Sequence, residues 1–324
     1  MKPAGYGSEG GPRQRAFRCM LVASLLLAVV LGSPPAAALE IALLLSAQKG
    51  PEQQFAEAFH AALKPGMHRV VHAGAVPEDV RPEVVGAADL VLAAGAGAAE
   101  AALRETDRPI LMVLAGLREV RRLQAAYPNR RLGAIVLDQP PERHLRLVRA
   151  ILPQEARVAV LVGPESRFFA PALTRAAGDE GFVVEFAEVA DPKELVSVLQ
   201  PVLDKAGALL PLPDSLVSSP GAARTILLTS YRYRRPIFAF SSAYVTAGAL
   251  AAIFSTPEQV AGDVAELLNA KSAATQGLDP LLGEIRYPER YDIAVNRMVA
   301  RALGIAVPGE QALREQVAGG GRAR

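Results

Sequence analysis

The chain contains no tryptophan and one cysteine, and aromatic residues make up 5% of its 324 positions. The scarcity of aromatics argues against a stacking cage for a large aromatic ligand. The cysteine, Cys19, precedes the apolar run Met20 to Leu31 in the N-terminal segment. Removal of that segment leaves no disulfide, no thiolate nucleophile and no cysteine metal site. Histidine is sparse too, at His60, His68, His72 and His144. His68 and His72 straddle an expected strand, so they share a face four residues apart rather than converging on an ion, and no acidic cluster joins them. Neither a Gly-x-Ser-x-Gly elbow nor a His-Glu-x-x-His helix is present, and no histidine falls at the carboxyl end of an expected strand in the second half. A metal site and catalysis are therefore both disfavoured, and no cofactor is expected.

Surplus charge is also missing. The whole chain is formally +2, but its first 38 residues carry Lys2, Arg13, Arg15 and Arg18 against Glu9. The remainder holds 31 basic and 32 acidic residues, a net charge of about −1, which gives no bulk case for a nucleic-acid partner.

The N-terminal segment reads as a secretory signal. Three arginines precede an apolar run too short to span a bilayer, and Pro34, Pro35 and Ala36-Ala37-Ala38 supply a breaker and a cleavage site. Cleavage is expected after Ala38, the alternative being a retained anchor, and leaves 286 residues in an exported compartment. Cys19 lies before the apolar run and is no lipoprotein cysteine, and the arginines are not adjacent as a twin-arginine signal requires. That length suits two medium domains held by core burial alone.

Beyond Ala38, short apolar runs alternate with helical stripes. Strands are expected at Glu40–Leu45, Arg69–Ala73, Asp89–Ala94, Ile110–Leu114 and Gly133–Leu137. Phe55, Phe59 and Leu63 form the buried stripe of the first helix. Asp138-Gln-Pro-Pro141 resembles a linker. A second block follows, with strands at Arg157–Val162, Phe182–Ala187 and Ala206–Leu210. Asp191-Pro-Lys-Glu194 and Thr256-Pro-Glu-Gln259 have the chemistry of helix capping boxes. Apolar strands separated by helices imply α/β architecture with parallel sheets covered on both faces. The segment Leu227–Phe254 is unusual in placing two strands, Pro236–Phe240 and Gly248–Phe254, in series without a crossover helix. It reads as a crossing between lobes. Short strands at Gly283–Tyr287 and Asp292–Val295 read as a return to the second lobe, and the glycine-rich end as a disordered tail.

Four segments in order resemble one family: Leu209-Leu-Pro-Leu-Pro-Asp214, Leu227-Leu-Thr-Ser-Tyr-Arg-Tyr-Arg-Arg-Pro236, Ala247-Gly-Ala-Leu-Ala-Ala252 and Ala302-Leu-Gly-Ile-Ala-Val-Pro308. Over roughly Glu40 to Pro308 the chain resembles the periplasmic substrate-binding proteins of ABC importers, in the branch that includes tryptophan/tyrosine-type components. The resemblance implies two Rossmann-like lobes of the type I periplasmic binding protein kind, joined by three hinge crossings that close over a ligand. It sets crossings near Leu137–Asp138, Ser241–Tyr244 and Leu278–Gly283. The expected division is 1–38 signal, 39–137 and 242–278 first lobe, 138–241 and 279–305 second lobe, and 306–324 tail. It further implies a monomer that captures a small-molecule solute and delivers it to an ABC permease in the inner membrane, or hands a signal to a membrane sensor. The expected solute is a small organic acid, amino acid or other small polar molecule.

Ligands of open α/β sheets lie outside the carboxyl ends of the strands, where helix N-termini present free amides. Ser46 and Gln48 stand at the first such edge, as ligand contacts or as an ordinary polar loop. Gly95, Ala96, Gly97 and Ala98 stand at the second, where bare amides suit an anion or the glycines serve only a turn. Gly95-x-Gly97 is a weak nucleotide motif because Glu100 fills the third glycine position. In the second lobe Arg167, Phe168 and Phe169 follow a strand, where the phenylalanines line the cleft or join the core. Relatives carry an acidic or amide residue at the place of Asp214, which either meets a ligand or caps the next helix. Ser241, Ser242 and Tyr244 are expected to face the cleft, and Arg232, Arg234 and Arg235 to form a solvated surface.

Overall fold

A computed structural model describes residues 39–76, 80–271 and 283–319. The N-terminal signal expectation, with Cys19, lies outside the described residues.

The first lobe is a six-stranded parallel sheet. Its strands are β1 (Leu39–Leu45), β2 (His68–Ala75), β3 (Leu90–Ala94), β4 (Ile110–Val113), β5 (Leu132–Ile135) and a late addition, Ile285–Arg286, in the spatial order Ile285–Arg286, β5, β4, β3, β1, β2. Every residue of β3, β4 and β5 is buried. Helices cover both faces, so an outward side chain on any central strand meets protein rather than water. One face is covered by α1 (Pro51–Ala62), through stacked Phe55 and Phe59. The other is covered by α2 (Pro82–Ala87), α3 (Ala96–Glu105) and α4 (Leu117–Ala126), through Val85, Ala102, Val120 and Leu123.

The second lobe begins with α5 (Pro141–Ile151), β6 (Arg157–Val162), α6 (Ala170–Asp179), β7 (Val183–Glu188), α7 (Leu195–Lys205), β8 (Ala208–Pro211), α8 (Ser215–Ser218) and α9 (Pro220–Arg232). The expected cap at Asp191 forms, its carboxylate accepting the Lys193 amide at 2.8 Å. The parallel strands β7, β6 and β8 make one part of the sheet. A bridge between Leu209 and Ile237 joins them to a second part. That part holds β9 (Phe238–Ala239) and, after α10 (Ser242–Ala247), β10 (Ala251–Phe254).

The pairing of β10 corrects the expected division of the chain. Ala251 and Ala252 lie beside Phe238 and Ala239 in parallel register, so the chain remains in the second lobe through Phe254. The crossing lies at Ser255–Thr256, not Ser241–Tyr244. From there α11 (Pro257–Lys271) packs on α1 in the first lobe, burying Val260, Val264 and Leu268. Its start is the reciprocal capping box read from the sequence. The Thr256 amide donates to Gln259 Oε1 at 3.0 Å and the Gln259 amide to Thr256 Oγ1 at 3.3 Å.

The third crossing is also displaced. Its expected place, Leu278–Gly283, falls almost wholly outside the described residues. Beyond it, β11 (Ile285–Arg286) pairs with β5, so the chain is still in the first lobe there. It crosses at 287–291 and enters the second lobe as β12 (Asp292–Val295), antiparallel to β10. Then follow α12 (Arg297–Leu303) and α13 (Glu310–Gly319). The helix α13 replaces most of the expected tail, packing on α5 with Leu313 and Val317 buried.

Among the described residues, three crossings join the lobes, and hydrogen bonds stitch them together. Gln139 Nε2 of the first donates to Ser255 Oγ of the second at 2.9 Å, and that hydroxyl donates to the Arg290 carbonyl of the third at 2.5 Å. Arg143 donates to Gln139 Oε1 and to the Pro288 carbonyl. Buried Asp263 accepts the Glu289 and Arg290 amides.

Candidate functional site

Beside the crossings, a cavity of about 490 Å³ opens between the lobes. It lies at the carboxyl ends of β4, β5, β8, β9 and β10, where the loops after the strands converge. Gly116 and Leu137 come from the first lobe's edge, and Thr256 and Pro257 from the start of α11. Phe169, Leu173, Leu212, Phe240, Ile253 and Phe254 make an apolar wall from the second lobe. Tyr244 supports this wall from behind, its ring 5.6 Å from that of Phe240 and tilted edge-on. The polar groups facing the space are Asp138, Gln139, His144, Ser241, Ser242, Ser255 and Thr256.

Asp138 begins the first crossing. Its carboxylate accepts the amide of Leu117, the first residue of α4. Two backbone features lie beside this contact. Leu114 adopts φ +53°, an uncommon conformation outside glycine, in the turn after β4. A methyl group on Gly116 would lie 3.4 Å from Asp138 Oδ2. Burial raises the Asp138 pKa above its ordinary value, while the Leu117 amide and the Arg118 charge oppose the rise.

His144 projects from α5. It is 7% exposed, and its Nδ1 has no hydrogen-bond partner. Burial, with a lesser contribution from the Arg143 charge, lowers its pKa to about 4, so the ring is neutral near neutral pH.

The outer rim of the cleft is already bridged. Arg118 of α4 pairs with Glu165 of the β6–α6 loop and, at 2.6 Å, with its neighbour Glu119. Glu165 also accepts the Ser215 amide at 3.0 Å, and hydrogen bonding from the Ser215 hydroxyl first, then from its amide, lowers the Glu165 pKa. The guanidinium carbon of Arg121 lies 4.5 Å from the Phe168 ring centroid. Phe168 stacks on Phe169 at 4.3 Å, so this column runs from the rim to the cavity wall.

The residues singled out in the sequence divide into two groups. Ser241, Ser242 and Phe169 line the cavity. Ser46, Gln48, Gly95, Ala96, Gly97, Ala98, Asp214 and Tyr244 do not. Ser46 Oγ accepts the Ala98 amide at 2.9 Å, filling a position that an anion at the α3 N-terminus would need. A methyl on Gly95, at φ +93°, would overlap that hydroxyl, so the glycine answers both a turn and a close approach. Gln48 is exposed and borders a separate space of about 270 Å³ near His60 and His72. Asp214 is 4% exposed and accepts the amides of Glu165, Ser166 and Leu216, so its carboxylate serves as a cap. Tyr244 is buried in the second lobe's core, where its hydroxyl has no partner. Arg167 pairs with Glu188 at 2.9 Å. Arg232 and Arg234 are exposed, whereas Arg235 reaches the Leu203 carbonyl at 2.9 Å.

Asp138 and His144 line the cavity but were not among the residues expected to contact a ligand. Asp138 read as linker because Gln-Pro-Pro follows it. The usable signal was its place directly after a strand at an expected crossing.

A family model described as ABC transporter substrate binding protein matches residues 86–315. The chain belongs to that family. Family and fold are those of a non-catalytic, solute-binding protein, and membership supports an extracytoplasmic location. Among the described residues of this substrate-binding protein, no group of three or more His, Cys, Asp or Glu could hold a metal ion. No described helix is long and apolar enough to cross a membrane. Solved structures show the same fold. A ligand-free, open substrate binding protein with adhesive properties from Clostridium difficile is 18% identical, with TM-score 0.66, over 85% of this chain and 98% of that one. An ABC domain in complex with L-Trp from Streptococcus pneumonia is 17% identical, with TM-score 0.53, over 85% and 98%. An arabinose binding protein from Geobacillus stearothermophilus is 11% identical, with TM-score 0.52, over 82% and 99%. At these identities the likeness shows the fold alone. No curated protein matches the chain significantly.

Proposed function

We propose that the chain is the periplasmic solute-binding component of an ABC importer, exported by a signal cleaved after Ala38 and acting as a monomer. It captures one small solute between its lobes and delivers it to an inner-membrane permease. The observation that carries this reading is the cavity at the crossings, walled by the second lobe and completed by Gly116 and Leu137 of the first. A solute held there touches both lobes and the segments that must bend when they move. It favours the closed arrangement through that difference in contacts, and the permease reads the closed form. We assign ligand contact to Ser241 and Ser242, and add Asp138 and His144. We do not assign it to Asp214, whose oxygens are taken by amides. Descent from the tryptophan/tyrosine-type branch belongs to the same proposal and rests on the sequence resemblance. The residues at the cavity, not the branch, decide the ligand.

A broad solute panel tests the reading by thermal unfolding and small-angle scattering. The cognate solute is expected to raise the melting temperature and to compact the protein. Turnover of any substrate, with no solute raising the melting temperature, would sink it.

A further inference from the structure

We propose that the inter-lobe cavity takes a small solute with an apolar body and a single ammonium group, seated on Asp138, and that it discriminates against carboxylates and phosphates. The inference rests on the solute-capture reading and narrows it.

The charge inventory of the cavity comes first. Among the described residues, Asp138 is the one formally charged side chain that lines it, and no described lysine or arginine does. The nearby arginines are committed elsewhere. Arg118 pairs with Glu119 and Glu165, and Arg143 donates to Gln139 and the Pro288 carbonyl while lying over the Tyr291 ring. An anionic solute would bring a second negative charge beside Asp138 with no cation to meet it. That arrangement costs free energy on both counts, through desolvation and like-charge repulsion.

Unfilled polar positions point the same way. Asp138 accepts the Leu117 amide, but a carboxylate offers about four acceptor positions, so oxygen lone pairs remain for a ligand. Asp138 feels the Arg118 charge but has no direct ion pair among the described residues, and an ammonium seated on it would relieve the cost of its burial. His144 lines the same cavity, but its unpartnered Nδ1 is itself closed off from the open space, so Asp138 supplies the acceptor.

The wall accounts for the rest of the solute. Phe169, Phe240 and Phe254 line one cavity with Leu173, Leu212 and Ile253. These side chains offer no hydrogen bonds to a sugar ring, whereas they bury an alkyl or aryl body, and phenylalanine faces also attract a cation.

The test is calorimetric titration of the purified chain with 2-phenylethylamine, 2-phenylethanol, 3-phenylpropionate and L-phenylalanine. These probes share an aryl body and differ in the charged group. The amine is expected to bind at least about tenfold more tightly than the other three, the size of one charge-assisted hydrogen bond. Asp138→Asn retains an oxygen for the Leu117 amide and should remove that preference, bringing the amine down to the affinity of the alcohol. If Asp138→Asn fails to fold, Phe240→Leu on the wild-type charge pattern should weaken amine and alcohol alike and preserve their ratio. Binding of the acid or the amino acid as tight as that of the amine overturns the ligand class and leaves solute capture standing. The ligand class is overturned in the same way if none of the four binds while a sugar, nucleoside or organic acid does. Absence of binding by any class overturns both.

Discussion

On the hinge side of the cleft, Asp138 and His144 face an open space beside a wall of phenylalanines. At the rim, Arg118 and Glu165 have already found each other, and Arg121 lies on Phe168. Both regions join the two lobes, and both contain charge. They differ in who satisfies it. Rim groups are satisfied by protein, which makes the rim part of the interface between lobes. The hinge side keeps polar positions unfilled among apolar neighbours, a state that costs stability unless a solute completes it. Among the polar loops, Asp214 and Ser241 cap their own helices, so a polar loop by itself does not mark a place for a solute.

The sharpest challenge to this contrast is Asp214→Ala. Its carboxylate holds three backbone amides in a buried position, and losing it should cost about 3 kcal/mol by urea unfolding. The remaining folded protein should still bind its solute. Loss of binding with full stability would move Asp214 from the satisfied side to the binding side.

His144 gives an effect of similar size that depends on pH. Its folded pKa of about 4 lies below the ordinary 6.5, so on acidification the unfolded chain takes up the proton first. Stability is thus lost as pH falls through that window, by about 3 kcal/mol for this group at its acid end. His144→Leu should flatten that part of the profile relative to the wild type in unfolding experiments at about pH 7 and about pH 4.5. Equal acid sensitivity in the two proteins would mean that the ring finds a partner on protonation.

The smallest effect is expected at the rim. Arg118 and Glu165 side chains are 37% and 40% exposed, so solvent screens their pair, and Arg118→Ala should cost less than about 1 kcal/mol. The informative readout is the radius of gyration of the ligand-free protein, which should rise as the lobes part. An unchanged radius would show that the crossings alone set the lobe arrangement.

The architecture was legible because the strands are buried on both faces. Runs such as Ile41–Leu45 and Val158–Val162 have to be apolar throughout, and turn residues bound them. Strand partners were less legible. Ala251–Phe254 would suit either sheet by composition, and only its pairing with β9 keeps it in the second lobe. The tail was misread because Leu313 and Val317 are two apolar positions in a polar segment, and the surface of α5 that they cover lies far away in sequence. At the cavity, Ser241 and Ser242, which directly follow a strand, stand among the lining residues as expected of cleft-facing positions. Asp214 sits in an equivalent loop, yet nothing local reveals that its oxygens are used by Glu165 and Ser166, nearly fifty positions earlier.

The bridged rim has a consequence for traffic at the membrane. In the proposed capture cycle, Arg118 and Glu165 would contribute to closure whether or not cargo is present, so some protein would close empty. A contribution of up to about 1 kcal/mol would multiply the empty closed population by up to about fivefold, and strengthen apparent capture by the same factor while that population remains small. Scavenging at low solute concentration and idle encounters with the proposed permease would then rise together. One exposed ion pair would shift sensitivity and idle cycling in the same direction, and Arg118→Ala should lower both.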